Sequence, residues 1–188
     1  MLEIIAFCCG ALVMVLEMVG ARVLAPHVGT SAVVWTSLIG VVLACLAVGA
    51  WLGGRLADRH LSRRGLAFIL TGASLGSALA AGTHRLVGEA LSVALTDIHL
   101  AAVACALGIL ALPALCCGMI SPYIIRLRIR DVATSGATVG RLYALSTAGS
   151  IVGTFLGGFV LISFFASGTI LWGCLLYTSP SPRDRQKS

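Results

Sequence analysis

Two charged residues inside the first long apolar segment are the main candidates for chemistry in this chain. The segment from Ile4 to Leu24 is apolar apart from Glu17 and Arg22. An acidic side chain inside a membrane span costs about 2.5–3.5 kcal/mol on insertion scales, so Glu17 should face protein or water and have a partner. Arg22 is the nearest candidate, although five residues place it about 140° around a helix. Tyr143 and Arg141 are alternatives from another helix. Glu17 is therefore either a carboxylate that binds a proton or cation, or half of an ion pair that fixes helix packing.

A second polar set lies at helical spacing in the predicted fifth helix. It consists of Tyr143, Ser146, Thr147, Ser150 and Thr154, beside a small-residue face of Gly149, Gly153 and Gly157. Small residues four apart let helix backbones approach closely, and hydroxyl groups can bond across such a contact. The pattern favours helix packing over the alternative, a surface that lines a substrate path.

Prolines and cysteines complete the candidate residues. Pro113 and Pro122 each remove a backbone hydrogen bond from the fourth apolar segment, which predicts a kink or, alternatively, free carbonyl groups for an ion. The seven cysteines form no C-x-x-C or Cys/His pattern, so we predict no metal site. Paired carboxylates, a nucleophile elbow and a phosphate loop are lacking. We therefore expect no catalytic residues and no cofactor in this fragment.

Composition defines the elements that position these residues. The chain is 59% hydrophobic and 11% charged, whereas soluble domains carry about 25% charged residues. A bilayer core needs roughly 20 apolar residues per helix. The sequence predicts an all-α, polytopic transmembrane helix bundle with five complete spans and a truncated sixth. The predicted spans are 4–24, 32–54, 65–83, 100–125, 142–162 and 168–177, with an amphipathic surface helix within Thr83–His99. Residues 177–188 resemble translated sequencing adapter and are predicted to be a non-native tail on a truncated reading frame.

The distribution of arginines predicts the orientation in the membrane. The loops after the second and fourth spans hold eight arginines, and the opposite side holds two, Arg22 and Arg85. Arginine-rich short loops remain in the cytoplasm. We expect an integral protein of the bacterial inner (plasma) membrane with a cytoplasmic N-terminus and the lipid bilayer as its partner. The net charge of +6 does not indicate nucleic acid, because no basic face with interleaved aromatic residues is present. The sequence does not indicate an oligomeric state.

A short internal match suggests a repeat. Residues 49–54 and 153–158 share the frame G-x-x-L-G-G, in the second and fifth predicted helices. These helices would run in opposite directions, as a three-plus-three inverted repeat requires. The frame is therefore compatible with such a repeat.

Several ordered motifs resemble a known family. Glu17 and Arg22 are followed by Gly29-Thr-Ser31, Trp35-Thr-Ser37 and Gly49-x-x-x-Gly53-Gly-Arg-Leu-Ala-Asp-Arg59. Two later stretches are Pro113 through Gly118-Met-Ile-Ser-Pro122, and Gly140-Arg-Leu-Tyr-Ala-Leu-Ser-Thr-Ala-Gly149 through Gly158-Phe-Val-Leu161. In order and spacing they resemble the N-terminal membrane region of membrane-bound spermidine synthase-like proteins, the polyamine aminopropyltransferases. The resemblance covers about residues 5–170.

The resemblance implies a C-terminal soluble domain that is missing from this sequence. In the family, that domain transfers an aminopropyl group from decarboxylated S-adenosylmethionine to putrescine. Its Gly-rich nucleotide loop and acidic polyamine-binding residues have no counterpart here. The resemblance therefore implies a membrane module that anchors such an enzyme and handles a polyamine or related substrate.

A loop signature suggests an alternative. Gly54, Arg55, Asp58 and Arg59, followed by Arg63-Arg64, resemble the cytoplasmic loop between helices two and three of major facilitator transporters, although Leu61 stands where that family has Gly. Asp58 and Arg59 are expected to cap helix ends and pair with charges on a neighbouring helix, or only to set the topology. The alternative function is half of a major-facilitator-type secondary transporter. A purely structural anchor is a third possibility.

Overall fold

The computed structural model describes residues 2–129, 135–164 and residue 170, and it contains five long helices. They are α1 (Leu2–Val28), α2 (Ala32–Arg59), α3 (Arg63–Ala94), α4 (Ile98–Arg128) and α5 (Ser135–Phe155). The last helix continues through a π-helical stretch, Leu156–Leu161, into one α-turn, Ile162–Phe164. No strand occurs in these ranges. By length and composition all five helices can cross a membrane, so the prediction of an all-α polytopic bundle is confirmed.

The third helix is longer than the sequence predicted. It continues without a break through Thr83 to Ala94, and no separate surface helix forms. The prediction placed a boundary where His84 and Arg85 end the apolar run. Charged residues indicate where a helix leaves the hydrocarbon, but they do not stop its backbone hydrogen bonding. Apart from Ile170, the predicted sixth span and the tail 177–188 lie outside the described residues.

The helices pack mainly as two close pairs. In the first pair, α2 lies against α4, and a Cβ atom added at Gly53 would come within 2.7 Å of the Met119 Cα atom. In the second pair, α5 lies against α1, and a Cβ atom at Gly153 would come within 2.6 Å of the Ala11 Cα atom. Glycine is therefore required at both crossings. The short side chains allow backbone contact, which is the main attraction between helices in lipid.

The remaining packing is centred on α4. This helix also contacts α3 and α1, and it passes without interruption through Pro113 and Pro122. Pro113 is fully buried against α3, where a Cβ at Gly76 would lie 3.1 Å from the proline nitrogen. By contrast, α5 buries only Leu142, Gly149 and Gly153. Its other faces carry exposed apolar side chains, as expected of a surface in contact with lipid.

Candidate functional site

One end of the bundle collects most of the charged residues. The starts of α1, α3 and α5 lie there with the ends of α2 and α4, and ion pairs and hydrogen bonds join them. We call this the basic end. The other end of the bundle, where α1, α3 and α5 finish, carries Arg22 and Arg85.

The loop signature is joined to α4 at the basic end. Asp58 Oδ1 lies 3.3 Å from Arg126 Nε, an ion pair between α2 and α4. The guanidinium of Arg55 lies over the ring of Trp51, 4.7 Å from its centroid. Gly54 has open space beside it. Arg59 is exposed and makes no ion pair within the described ranges. Asp58 therefore ties the signature to a neighbouring helix, whereas Arg59 does not.

A buried tyrosine, not identified from the sequence, holds the loop between α2 and α3. The hydroxyl oxygen of Tyr123 lies 2.8 Å from the His60 carbonyl oxygen and 3.0 Å from that of Ser62. It also accepts a hydrogen bond from the Ser62 amide at 3.1 Å. Ser62 in turn caps α3, because its hydroxyl accepts from the Gly65 amide at 2.9 Å. A lone tyrosine one turn before the end of an apolar helix is the sequence signal that could have identified it.

Glu3 is the centre of a second charged group at the basic end. Arg141 Nη2 lies 3.2 Å from Glu3 Oε2, and Arg128 Nη2 lies 3.7 Å from Glu3 Oε1. A crevice of about 190 Å³ opens beside these residues, and Thr138 is also part of its lining. Arg141, which the sequence offered as a partner for Glu17, is therefore engaged with Glu3.

The partners predicted for Glu17 do not reach it. Glu17 is half-buried on α1, and within the described residues no ion pair or hydrogen bond joins it to Arg22, Arg141 or Tyr143. Arg22 instead donates to the carbonyl oxygen of Ile162. Arg22, one of the three candidate partners, lies on a different face of α1 from Glu17, as the five-residue spacing indicates.

The polar stripe of α5 divides between two faces. Ser150 donates to the Gly10 carbonyl oxygen of α1 at 3.2 Å, and Ser146 lies at the same crossing. Tyr143 is 73% exposed and Thr147 is also exposed, and Thr147 bonds only within its own helix at 3.0 Å. The stripe spans a wide arc, so only its serine part meets α1. That part serves helix packing.

A larger, mostly apolar crevice lies at the opposite end of the bundle. Its volume is about 380 Å³. It is lined by Met18, Ala21, Arg22, Ala25, Gly29, Thr30, Val34, Trp35, Leu38, Gly158 and Ile162. Among the described residues of this lining Arg22 is the one charged side chain, and Trp35 is exposed beside it. We call this the Arg22 crevice.

The described part of the chain contains no group of three or more His, Cys, Asp or Glu side chains that could hold a metal ion. Fold and site together define a polytopic helical bundle of the kind that crosses membranes, with a paired and capped basic end and an apolar crevice at the other end. Comparisons with protein-family models, curated proteins and solved structures gave no match for this chain.

Proposed function

We propose that this chain is the membrane-embedded module of a polyamine aminopropyltransferase-like protein. In this proposal it anchors a catalytic domain that follows in the intact protein, and it handles the polyamine or a related substrate. The supporting observation is that motif stretches far apart in sequence meet at helix crossings. Gly49 and Gly53 of one motif lie against the stretch 113–122 of another on α4, and Gly149 of a third lies against α1 at Phe7, outside the motifs.

The basic end is the proposed attachment point for that domain. Arginine-rich ends of helices remain in the cytoplasm, where decarboxylated S-adenosylmethionine and putrescine would be supplied. The Asp58–Arg126 pair and the hydroxyl of Tyr123 join α2, α3 and α4 there. A surface whose helices are joined by such contacts suits a module that positions a second domain at the membrane.

The test begins with the downstream reading frame. DNA spanning the gene would be sequenced, and the native-length protein would be purified in detergent. We expect a following strand, Gly-rich loop and helix, and aminopropyl transfer from decarboxylated S-adenosylmethionine to putrescine. A matched preparation lacking the soluble domain should be inactive. A frame that stops after the helices, or that continues only as further spans, would refute the proposal.

A second candidate, a secondary transporter, is favoured by a constant register between the two close helix pairs. Gly49 of α2 lies against Leu115 of α4, and Gly153 of α5 lies against Ala11 of α1. The shift from 49 to 153 is 104 positions, and so is the shift from 11 to 115. The pair α2–α4 thus corresponds to α5–α1 at one fixed offset.

Other contacts follow the same offset of 104 positions. Arg126 pairs with Asp58, and at the equivalent positions Arg22 bonds to the carbonyl oxygen of Ile162. Leu66 and its equivalent Ile170 are each 5% exposed, in hydrophobic clusters that include α4 and α1 respectively. We propose that these correspondences reflect the three-plus-three inverted repeat.

Inverted repeats are typical of secondary transporters, in which one repeat moves against the other. This supports half of a major-facilitator-type carrier as the second candidate function. Native-length protein in proteoliposomes would be tested for uptake of radiolabelled putrescine and spermidine, with empty liposomes as the control. Uptake that falls in Glu17→Gln would support the transporter. No uptake, or uptake independent of Glu17, would weaken it.

A further inference from the structure

Arg126 and Arg22, which correspond at the offset of 104 positions, differ in how their positive charge is neutralised. Arg126 has the carboxylate of Asp58 at 3.3 Å. Among the described residues, the acceptor recorded for Arg22 is the carbonyl oxygen of Ile162, and position 162 is an isoleucine, which has no carboxylate. Within the described residues no ion pair involves Arg22. A guanidinium carries five N–H donors, so most of those on Arg22 remain for another acceptor.

The surroundings of Arg22 indicate what that acceptor is attached to. The crevice of about 380 Å³ is lined mainly by aliphatic side chains, glycine and Trp35. The Arg22 side chain is exposed at this end of the bundle, so an anionic group from the surroundings can reach its guanidinium. The lining therefore suits a molecule with an anionic group at one end and a hydrocarbon body at the other.

We propose that the Arg22 crevice binds an anionic phospholipid. Its phosphate would accept hydrogen bonds from the Arg22 guanidinium, in the position that the Asp58 carboxylate has relative to Arg126. Arg–phosphate hydrogen bonds of this kind are about twice as strong as neutral ones. An acyl chain would lie along Met18, Val34 and Leu38, and Trp35 would lie at the level of the headgroup. The bilayer itself supplies this ligand.

Fluorescence quenching of Trp35 gives a direct measurement. A parent variant of the native-length chain, Trp51→Phe with Trp172→Phe, keeps Trp35 among the tryptophans of this sequence, and any downstream tryptophan would also be replaced by Phe. Brominated phosphatidylglycerol and brominated phosphatidylcholine would be titrated into the protein in nanodiscs. Both lipids carry a phosphate, but phosphatidylglycerol has a net negative charge, whereas the choline ammonium of phosphatidylcholine offsets its phosphate charge. We expect phosphatidylglycerol to quench at a mole fraction about fivefold lower, the factor for one arginine facing an anionic headgroup in place of a neutral one. Arg22→Gln should remove this preference, and Arg85→Gln, at the same end but outside the crevice, should keep it.

A second pair of variants tests whether the lipid phosphate neutralises the charge of Arg22. Ile162→Asp supplies the carboxylate that Asp58 provides for Arg126, so it should abolish the phosphatidylglycerol preference, whereas the neutral Ile162→Asn should retain it. Equal quenching by the two lipids in the parent variant would overturn the proposal, and so would a preference that survives Arg22→Gln or Ile162→Asp. Tighter quenching by a brominated fatty acid than by phosphatidylglycerol would overturn the phospholipid as the occupant. If Arg22→Gln does not fold, the comparison of the two lipids in the parent variant and the comparison of Ile162→Asp with Ile162→Asn still test the proposal.

Discussion

The Nε atom of Arg126 lies 3.3 Å from the Oδ1 atom of Asp58, and this pair joins the end of α2 to the end of α4. Both side chains are more than half exposed, at 54% and 71%. Water screens such a pair, and exposed ion pairs contribute only about 0.2–1 kcal/mol. Its role is therefore to orient the loop signature more than to stabilise the fold.

We expect Asp58→Ala to change the free energy of unfolding by less than about 1 kcal/mol. The change should shrink as salt rises, because added ions screen exposed charges. Thermal unfolding in detergent at low and high salt would measure it, with Arg126→Ala and the double variant completing a cycle. A coupling that is large and independent of salt would contradict this expectation.

Tyr123→Phe should lower the free energy of unfolding by more than Asp58→Ala does. The substitution removes the hydroxyl that contacts backbone groups of His60 and Ser62 through part-buried hydrogen bonds, while Tyr123 itself is buried. Each hydrogen bond lost contributes about 0.5–1.5 kcal/mol. Thermal unfolding and proteolysis of the loop between α2 and α3 would report the loss. Tyr143→Phe, at a side chain 73% exposed, is the matched control and should have no effect.

Adjacent glycines in α2 provide a test of the close helix pair. Gly53 lies against the backbone of Met119, whereas nothing lies within 4 Å of a Cβ added at Gly54. We expect Gly53→Ala to destabilise the fold by about 1–3 kcal/mol through overpacking. Gly54→Ala should be neutral or stabilising by up to about 1 kcal/mol, since alanine favours helix. Equal effects of the two variants on the unfolding temperature would contradict the observed crossing.

Glu17→Gln distinguishes two interpretations of that carboxylate. A structural ion pair would make the variant destabilising, but Glu17 has no ion pair within the described residues. We therefore expect Glu17→Gln to leave the thermal unfolding temperature unchanged or to raise it, because burial of an acidic group in a membrane span is costly. A marked fall in unfolding temperature would restore the structural interpretation.

Thiol labelling tests the proposed orientation. Leu61→Cys at the basic end and Thr30→Cys at the opposite end would be made in a chain whose native cysteines are alanine. A membrane-impermeant maleimide added to intact cells should label Thr30→Cys and spare Leu61→Cys, because arginine-rich loops remain inside. Cell lysis should make both sites reactive. The reverse pattern on intact cells would place the basic end outside.

The sequence alone determined the helical class and the number of long helices in the described region. An apolar run of sufficient length has to satisfy its backbone hydrogen bonds within itself, so its length predicts a helix without knowledge of its neighbours. The start of α2 at Ala32 and the glycine packing face of α5 followed from the same local patterns. The end of α3 did not follow from the sequence, because charged residues alone do not terminate a helix.

Only the tertiary structure determined which side chains contact residues of other helices and loops. Arg22 bonds to Ile162, Arg141 to Glu3 and Tyr123 to the loop at His60, each across a large distance in sequence. Such contacts depend on the rotation and depth of one helix against another, which small changes in packing alter. Spacing along one helix fixes which side chains share its face, but not which helix that face meets.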